Sequence, residues 1–413
     1  MAEWVSHLII ADRVMERVPG LCRHEFCVGN IAPDCNYRNP DGKTFTPSRE
    51  ITHWMKHERK TATDCDDFFT AYILERMDRI RSKQELSFLL GYYAHLITDA
   101  ELQRTIRDPE RVAEAWKRIR IHPELAPLSA GMDETWDNVK RLIPREERMK
   151  DFYVIEREYL DAHADSGYFT EIAGLESFPD YIDYLPHNAI PDKIKVMYYM
   201  PASEPCAYHE IAFTRKEYED ALNRAERIAV EAIEEISLLT EENETIRLGD
   251  LRSRHDEFVS GIVDDPYLCR MYGFSTPADG ERIFRQFSAL PGACGIIRKS
   301  DDRMIGFILC VKPEAPEQIL AQWSGRGKTL AYATFTPFRR MGYMTQAIRL
   351  VTEHLFQTGC TDYIHCGRFD YNLNSANLLK KLGFEIAGTH WFREQQIMDT
   401  VLWRNKEFDG GKK

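Results

Sequence analysis

The chain has 413 residues, of which 43% are hydrophobic and 29% charged, a composition typical of a soluble globular protein. This length predicts two or three domains rather than one. The formal net charge of -12 argues against nucleic-acid binding, which normally needs a basic surface, but it leaves room for a local basic pocket that binds phosphate.

The cysteines and the first residues of the chain predict a reducing, cytoplasmic setting. The ten cysteines form no Cys-x-x-Cys pair and are scattered among apolar neighbours, as buried thiols are. The first ten residues, MAEWVSHLII, lack a basic segment followed by an apolar one, so we expect no signal peptide. No apolar run reaches membrane-spanning length, so we also expect no transmembrane segment.

Residues 1–240 predict an all-helical domain. Helical periodicity is visible over residues 66–81 and 83–102. The centre of the second helix, SFLLGYYAHLIT, is apolar on nearly all sides, which predicts that it is buried. Residues 29–49 are rich in Asn, Pro and Asp and predict a long loop of functional importance.

The remainder of this domain contains fewer clear signals. Residues 178–206 are rich in Pro and Tyr and look irregular, whereas residues 216–239 predict a charged amphipathic helix. Residues 240–245 are polar and lack apolar periodicity, so we place the domain boundary there.

Residues 245–407 alternate short strands with helices, which predicts a second, α/β domain. The predicted strands cover residues 295–299, 304–311, 329–335, 362–367 and 397–402, and the predicted helices cover residues 278–290, 344–358 and 375–382.

One segment of this domain, TFTPFRRMGYMTQA at residues 334–347, has the pattern of an anion site. It predicts the end of a strand, a turn with Arg339, Arg340 and Gly342, and a helix that begins near Met344. Free backbone N–H groups and the helix dipole attract anions at such a helix start. Gly342 would let the backbone approach a phosphate closely, and the arginines would add positive charge.

This segment resembles the pyrophosphate-binding loop of GNAT acyltransferases, whose pattern is Gln/Arg-x-x-Gly-x-Gly/Ala. Arg339 and Gly342 match this pattern, whereas Met344 replaces the third small residue. Residues 372–385, NLNSANLLKKLGFE, resemble the Asn-x-x-Ser…Gly-Phe segment of the branch that acetylates ribosomal proteins. The alternative is that both segments are generic junctions between strands, loops and helices.

The resemblance implies a GNAT domain with a mixed, splayed sheet. It would bind acetyl-CoA and acetylate a primary amine of a small molecule or peptide in a ternary complex. The strand positions 333–335 would offer a backbone N–H to the thioester carbonyl and stabilise the developing oxyanion. The expected cofactor-binding residues are Ala333, Thr334, Phe335, Arg339, Arg340, Met341, Gly342, Tyr343, Met344, Thr345, Asn372 and Ser375.

The acid that protonates the leaving thiol is less evident. Many family members have a Tyr seven positions after the Asn, where this chain has Leu379. Ser375 and Tyr332 are the candidates instead. The alternatives are that Tyr332 is only a core residue of a strand and that Ser375 is only a helix N-cap.

The amino-terminal domain contains five side chains of the types that bind zinc and related metals. His95 and Asp99 share one face of the buried helix because they are four positions apart. Their burial is costly without partners, and a metal would satisfy both. Taken singly, each residue has an ordinary explanation, such as a hydrogen-bonded core histidine or a turn aspartate. The five are His7, Asp34, His53, His95 and Asp99.

Together with their neighbours (GNIAPD, THW and GYYAHLITD), these residues resemble the zinc-dependent phospholipase C family. The resemblance implies that all five are ligands of one to three zinc ions, or of another divalent metal, used to hydrolyse a phosphoester. Asp99 would bridge two ions and Asp34 would also position the attacking water as a catalytic residue. Further candidate ligands are His163, Asp165 and His209.

Three hypotheses follow for the whole chain. In the first, a metal-dependent phosphoester hydrolase is joined to an acetyltransferase. In the second, the amino-terminal domain keeps a metal site without catalysis and presents substrate or serves a structural role. In the third, the histidines and aspartates form an ordinary core network. The acyl acceptor and the oligomeric state stay open.

Overall fold

The computed structural model describes residues 3–18, 20–55, 65–77, 79–80, 82–204, 206–263, 265–290, 292–358, 361–392 and 394–404. The chain divides into two compact units, one comprising Met1–Glu16 and Gly20–Val230, the other Arg17–Pro19 and Glu231–Lys413. The division falls within the helix Arg215–Leu238, before the boundary predicted at residues 240–245, which stays a prediction.

The first unit is helical, as predicted. It contains a two-stranded sheet of β1 (Tyr37–Arg38) and β2 (Phe45–Thr46), a 3₁₀-helix at Ala32–Asp34 and π-helical turns at Phe69–Leu74 and Tyr168–Ile172. Its helices are α1 (Trp4–Arg17), α2 (Arg23–Gly29), α3 (Arg49–Thr52), α4 (Cys65–Phe68), α5 (Lys83–Arg107), α6 (Pro109–Ile121), α7 (Leu125–Leu128), α8 (Trp136–Leu142), α9 (Arg145–Ala162), α10 (Ala189–Met197) and α11 (Arg215–Leu238), within which the division falls.

The helix α5 is buried along its middle, as its apolar centre predicts. Helix α2 crosses it closely at a pair of glycines. A Cβ on Gly29 would lie 2.2 Å from Phe88 O, and a Cβ on Gly91 would lie 2.2 Å from Phe26 O. Only glycine fits at either position. The close crossing brings the chain that follows α2 next to His95.

Two segments predicted to lack regular structure contain some. Residues 29–49 contain the 3₁₀-helix and the β1–β2 hairpin, whose turn is held by Asp41, because its side chain accepts hydrogen bonds from the backbone of Lys43 and Thr44. Residues 178–206 contain α10. Pro191 obscured this helix in the sequence, but it lies in the first turn, where no N–H is needed.

A third prediction was partly wrong. The helix predicted over residues 66–81 is α-helical only as α4 and continues as the π-helical turn that ends at Leu74. Its predicted last residue lies outside the described residues.

The second unit is built on the predicted mixed sheet, which has seven strands in the order β3-β4-β5-β6-β7-β9-β8. These are β3 (Ile246–Asp250), β4 (Ala293–Arg298), β5 (Arg303–Val311), β6 (Gly327–Thr334), β7 (Tyr363–Phe369), β8 (Glu385–Phe392) and β9 (Gln395–Trp403). Besides the end of α11, the helices of the second unit are α12 (His255–Val263), α13 (Pro266–Tyr272), α14 (Gly280–Ser288), α15 (Glu317–Leu320), α16 (Tyr343–Gln357) and α17 (Leu373–Lys381).

The sheet opens between β6 and β7, its single parallel pair among the described strands. Their pairing covers Gly327, Lys328 and Thr329 of β6 and goes no further, although β6 continues to Thr334. The rest of β6 stays paired with β5 on its other side. Because alternate N–H groups of a strand point to opposite sides, some N–H groups of β6 face the gap.

Candidate functional sites

A cleft of about 760 Å³ lies in the second unit, and residues from both sides of the opening between β6 and β7 line it. Next to it, the loop between β6 and α16 has an unusual backbone. Arg340 has a φ of 63° and Gly342 a φ of 83°, both in the left-handed region. Such turns direct successive N–H groups into a concave, anion-binding surface at the start of α16.

The side chain of Arg339 is used to hold this loop. Its Nη2 donates to Asp265 Oδ2 at 2.5 Å, and its Nε donates to Thr334 O at 3.0 Å. Its guanidinium also lies 4.4 Å from the centre of the Tyr267 ring. The Arg of the sequence motif therefore anchors the loop, and the backbone at Arg340 and Gly342 is the candidate anion-binding feature.

The two predicted acid candidates are hydrogen-bonded to each other. Tyr332 Oη lies 2.8 Å from Ser375 Oγ. Burial, and secondarily the nearby Cys366, raise the pKa of Tyr332, so its phenol stays protonated. Ser375 is not the helix N-cap: Asn372 caps α17, because its side chain accepts from the Ser375 N–H at 3.1 Å.

A series of hydrogen-bonded side chains, which the sequence analysis missed, ends in the same cleft. Thr329 Oγ1 lies 2.9 Å from His365 Nδ1, and His365 Nε2 lies 3.0 Å from Asp399 Oδ1. The other oxygen of Asp399 lies 2.7 Å from His390 Nδ1. These residues are far apart in sequence and meet only because β6, β7, β8 and β9 are neighbours in the sheet.

The ionisation state of Asp399 decides which atoms donate in these hydrogen bonds. Burial would raise the pKa of Asp399, but hydrogen bonds from His365 and His390 outweigh it and lower this pKa below its ordinary value. An ionised carboxylate only accepts, so Nδ1 of His390 donates to it, and Nε2 is the ring nitrogen left for another partner. The side chain of His390 is partly exposed and lines the cleft.

Most of the predicted cofactor-binding residues line this cleft, with two exceptions. Phe335 is buried, and its ring lies where a Cβ on Gly261 would be, so it is a core residue. Met341 is exposed and does not line the cleft. Those that do are Ala333, Thr334, Arg339, Arg340, Gly342, Tyr343, Met344, Thr345, Asn372 and Ser375.

The five predicted metal ligands lie together in the first unit. His53 Nε2 is 3.4 Å from Asp34 Oδ1, 3.7 Å from Asp99 Oδ2 and 3.4 Å from His95 Nε2. His7 Nε2 is 3.7 Å from Asp99 Oδ1. The ligand atoms form two groups, each within 4.8 Å, that share His95. One group adds His7 and Asp99, and the other adds Asp34 and His53.

Two of the imidazoles are oriented by their second nitrogen. His95 Nδ1 lies 2.7 Å from Asn30 O, and His53 Nδ1 lies 2.9 Å from Thr52 Oγ1. The carbonyl can only accept, so Nδ1 of His95 carries the proton and Nε2 turns its lone pair toward the cluster. Metal-binding histidines are commonly held in this way.

The structure fits a metal best at His7. This residue is fully buried, and neither ring nitrogen has a hydrogen-bond partner among the described residues. Burial, and then the adjacent His95, lower the pKa of His7 well below its ordinary value, so the ring is neutral. A neutral, unsatisfied imidazole beside carboxylates is costly by itself and is the form that binds a metal.

The three further candidate ligands lie outside these groups. His163 Nδ1 lies 2.8 Å from Tyr159 O, and His209 Nδ1 lies 2.8 Å from Asp151 Oδ1. Asp165 contacts Arg23 through its backbone carbonyl. The metal-binding groups found among the described residues include none of the three.

Comparison with known proteins agrees with this division into two kinds of site. Residues 245–385, in the unit with the α/β fold and the cleft, match the family model "Acetyltransferase (GNAT) domain". Residues 6–100 match the model "Zinc dependent phospholipase C". The chain therefore carries a GNAT domain and a zinc-dependent phospholipase C domain. No curated protein is similar enough to count as a match.

Several solved structures resemble part of the chain. A GNAT acetyltransferase from Bacillus anthracis is 11% identical, with 40% of this chain and 98% of that chain covered and a TM-score of 0.34. A ribosomal-protein-S5-alanine acetyltransferase from Vibrio fischeri is 15% identical (40% and 96% covered, TM-score 0.32). The aminoglycoside acetyltransferase AAC(6')-Ib in complex with coenzyme A is 16% identical (41% and 99% covered, TM-score 0.32).

None of the helices that the structure describes combines the length and the apolar character that a membrane span needs.

Proposed function

We propose that the second unit transfers an acetyl group from acetyl-CoA to a primary amine of a small molecule or peptide. The observation that carries this proposal is the left-handed backbone at Arg340 and Gly342, at the start of α16 and beside the opening between β6 and β7. The loop N–H groups would bind the pyrophosphate, and N–H groups of β6 would donate to the thioester carbonyl.

The side chains of the cleft divide the proton transfers between them. His390 Nε2, oriented by Asp399, would accept the proton that the amine must lose before it attacks. Tyr332, which stays protonated and is hydrogen-bonded to Ser375, would donate to the departing sulfur. Tyr332 lies on β6 and His390 on β8, and both line the cleft.

Acetyl-CoA binding to the full chain, measured by calorimetry, tests this proposal. Gly342→Glu should abolish binding, because the glutamate carboxylate would take the place of the phosphate next to the loop N–H groups. Gly342→Ala is the matched control: its Cβ would contact nothing within 4 Å, so it adds only the strain of a φ of 83°. That strain costs about 1 kcal/mol and should weaken binding roughly fivefold. Equal binding by Gly342→Glu and the wild type would falsify the loop assignment.

We also propose that the first unit is a metal-dependent phosphoester hydrolase, with His7, Asp34, His53, His95 and Asp99 as ligands of one to three zinc or other divalent ions. The unsatisfied nitrogens of His7 are the supporting observation. When bound, zinc would supply a Lewis acid and an activated water. Asp34 would orient the water, and its contacts with His53 and Arg49 hold it in place.

The competing hypothesis is a metal site without catalysis. Metal analysis of the purified chain and hydrolysis of bis(p-nitrophenyl) phosphate separate the two. Bound metal with hydrolysis supports the hydrolase. Bound metal without hydrolysis favours the structural or substrate-presenting role, and absence of metal favours an ordinary core network.

A further inference from the structure

The first unit has a cavity of about 310 Å³ whose charge is opposite to that of the chain as a whole. The described residues that line it include no aspartate or glutamate, although the chain has a net charge of -12. Aromatic side chains, Trp136, Phe152 and Phe213, form much of the remaining wall. The cationic lining residues are Arg49, Arg107, Lys140, Arg145 and Arg148.

Three of these cations have a carboxylate partner outside the lining. Arg49 Nη2 lies 3.1 Å from Asp34 Oδ1, and Arg145 Nη2 lies 3.5 Å from Glu3 Oε1. Lys140 pairs with the exposed Asp137 on its own helix. These pairs hold the side chains in place but leave the cavity face cationic.

The other two cations contact uncharged oxygens. Arg107 donates to the side-chain oxygen of Gln103, and Arg148 donates to the backbone oxygen of Ile143 at 2.7 Å. Burial lowers the pKa of both guanidiniums, and the neighbouring Arg145 lowers that of Arg148 further. Asp137 and Glu146 offset part of this lowering for Arg107 and Arg148, respectively. Both guanidiniums stay charged at neutral pH, and an anion between them would replace part of the hydration that burial removes.

The cavity adjoins the candidate metal site. Asp99, Gln103 and Arg107 follow each other at four-residue intervals on α5, so they lie on one face, about 6 Å apart along the helix. Arg49 connects the two sites from the other side, because it lines the cavity and bonds to Asp34. The cavity therefore comes close to Asp34 through Arg49, whereas Arg107 lies about 12 Å along α5 from Asp99.

We propose that this cavity binds a phosphate ester, with its anionic group between Arg107 and Arg148 and its apolar part against Trp136. A bidentate guanidinium recognises phosphate better than an ammonium does, and a volume near 300 Å³ accommodates a small molecule. The inference goes beyond the proposed hydrolase, because an anion between Arg107 and Arg148 would be held outside the two groups of metal ligands.

Calorimetry on the full chain tests the proposal with two probes, glycerol 3-phosphate in solution and vesicles of phosphatidylglycerol. We expect Arg107→Gln with Arg148→Gln to weaken binding at least tenfold, because two charge-assisted contacts are lost. Arg141→Gln is the matched control, since Arg141 is on α8 beside Lys140 but does not line the cavity. It should change binding less than twofold.

Zinc content and thermal unfolding are measured for every variant. The proposal is supported if the double variant binds either probe more weakly than the wild type while its zinc content is unchanged. The probe that binds then shows whether the ligand is soluble or part of a lipid. If neither probe binds, if the double variant binds as the wild type does, or if binding and zinc are lost together, the proposal is overturned. Arg107→Lys with Arg148→Lys replaces the double variant if the glutamine version does not fold.

Discussion

The candidate sites of the two units are built in opposite ways. In the first unit, chemistry is concentrated in side chains: five histidines and aspartates lie together, four of them buried and Asp34 half-buried, and His7 has unsatisfied nitrogens. In the second unit, the candidate anion-binding part is backbone, and the side chain of Arg339 holds the loop through hydrogen bonds. The first site therefore holds buried polar atoms without hydrogen-bond partners, whereas the second is held in shape by hydrogen bonds of its own side chains.

This difference predicts how each unit responds to loss of its ligand. A buried cluster with unsatisfied polar atoms couples ligand binding to folding, since the ligand removes a cost that the protein otherwise bears. A preorganised backbone site gains little stability from its ligand beyond mass action. Removal of metal should therefore destabilise the first unit, while removal of acetyl-CoA should leave the second unit folded.

The largest effect is expected for His95→Ala, because His95 belongs to both ligand groups. Metal content by mass spectrometry should fall more than tenfold. The free energy of unfolding should fall by about 3 kcal/mol, the stabilisation lost when a saturating ligand is removed.

His163→Ala is the control for that variant. It removes an exposed histidine of the same unit that bonds to the backbone of Tyr159. If His95→Ala and His163→Ala retain equal metal and equal stability, the cluster is an ordinary core network and the comparison between the units collapses.

The next effect is expected for His390→Ala, which removes the proposed proton acceptor. The kcat of acetyl transfer should fall about a hundredfold, while the Kd for acetyl-CoA stays within twofold of the wild type. Added imidazole should restore part of the rate if the lost group is a base. His255→Ala, an exposed histidine paired with Glu281 in the same unit, should have no effect on kcat.

A smaller effect, about tenfold on kcat, is expected for Tyr332→Phe, which keeps the ring and removes the donor. Because the pKa of Tyr332 is raised above its ordinary value of 10.0, the wild-type rate should show no loss from tyrosine ionisation up to pH 10. Tyr363→Phe, in the neighbouring strand β7, serves as the control. If Tyr332→Phe lowers the affinity for acetyl-CoA and leaves kcat unchanged, Tyr332 holds the cofactor and donates no proton.

The sequence predicted the first site better than the second for a physical reason. Metal ligands are side chains, and the pattern His7, Asp34, His53, His95, Asp99 names them directly, so the structure needed only to bring them together. The phosphate loop was found through Gly342, whose positive φ is a backbone requirement that sequence reveals. The role of Arg339 was not visible, because its partner Asp265 lies on a distant helix start.

The hydrogen-bonded series of side chains that runs from Thr329 to His390 could not be predicted, because its members are brought together by the register of the strands. His365 faces Thr329 in the short parallel pairing of β6 and β7, and Asp399 lies on the strand between His365 and His390. Register depends on the whole sheet and not on local patterns. The sequence analysis also did not predict helices α12, α13 and α15 or strands β3 and β8.

The smallest effect concerns Glu156 of α9 in the first unit, outside the metal cluster. This carboxyl accepts hydrogen bonds from the side chain and backbone of Ser6, yet burial raises its pKa from 4.5 to about 8. The folded state therefore holds a proton that the unfolded state releases between these values, so stability falls as pH rises from about 4.5 to 8. Glu156→Gln cannot ionise and should lose this dependence.

Thermal unfolding at pH 5 and pH 8.5 measures that change. The variant should gain stability relative to the wild type at the higher pH, with little difference at the lower pH, whereas Glu158→Gln, an exposed neighbour paired with Arg215, should follow the wild type at both. A parallel pH dependence in Glu156→Gln and the wild type would mean that Glu156 is ionised in the folded protein. The hydrogen bonds from Ser6 would then outweigh burial and hold Glu156 as a buried carboxylate.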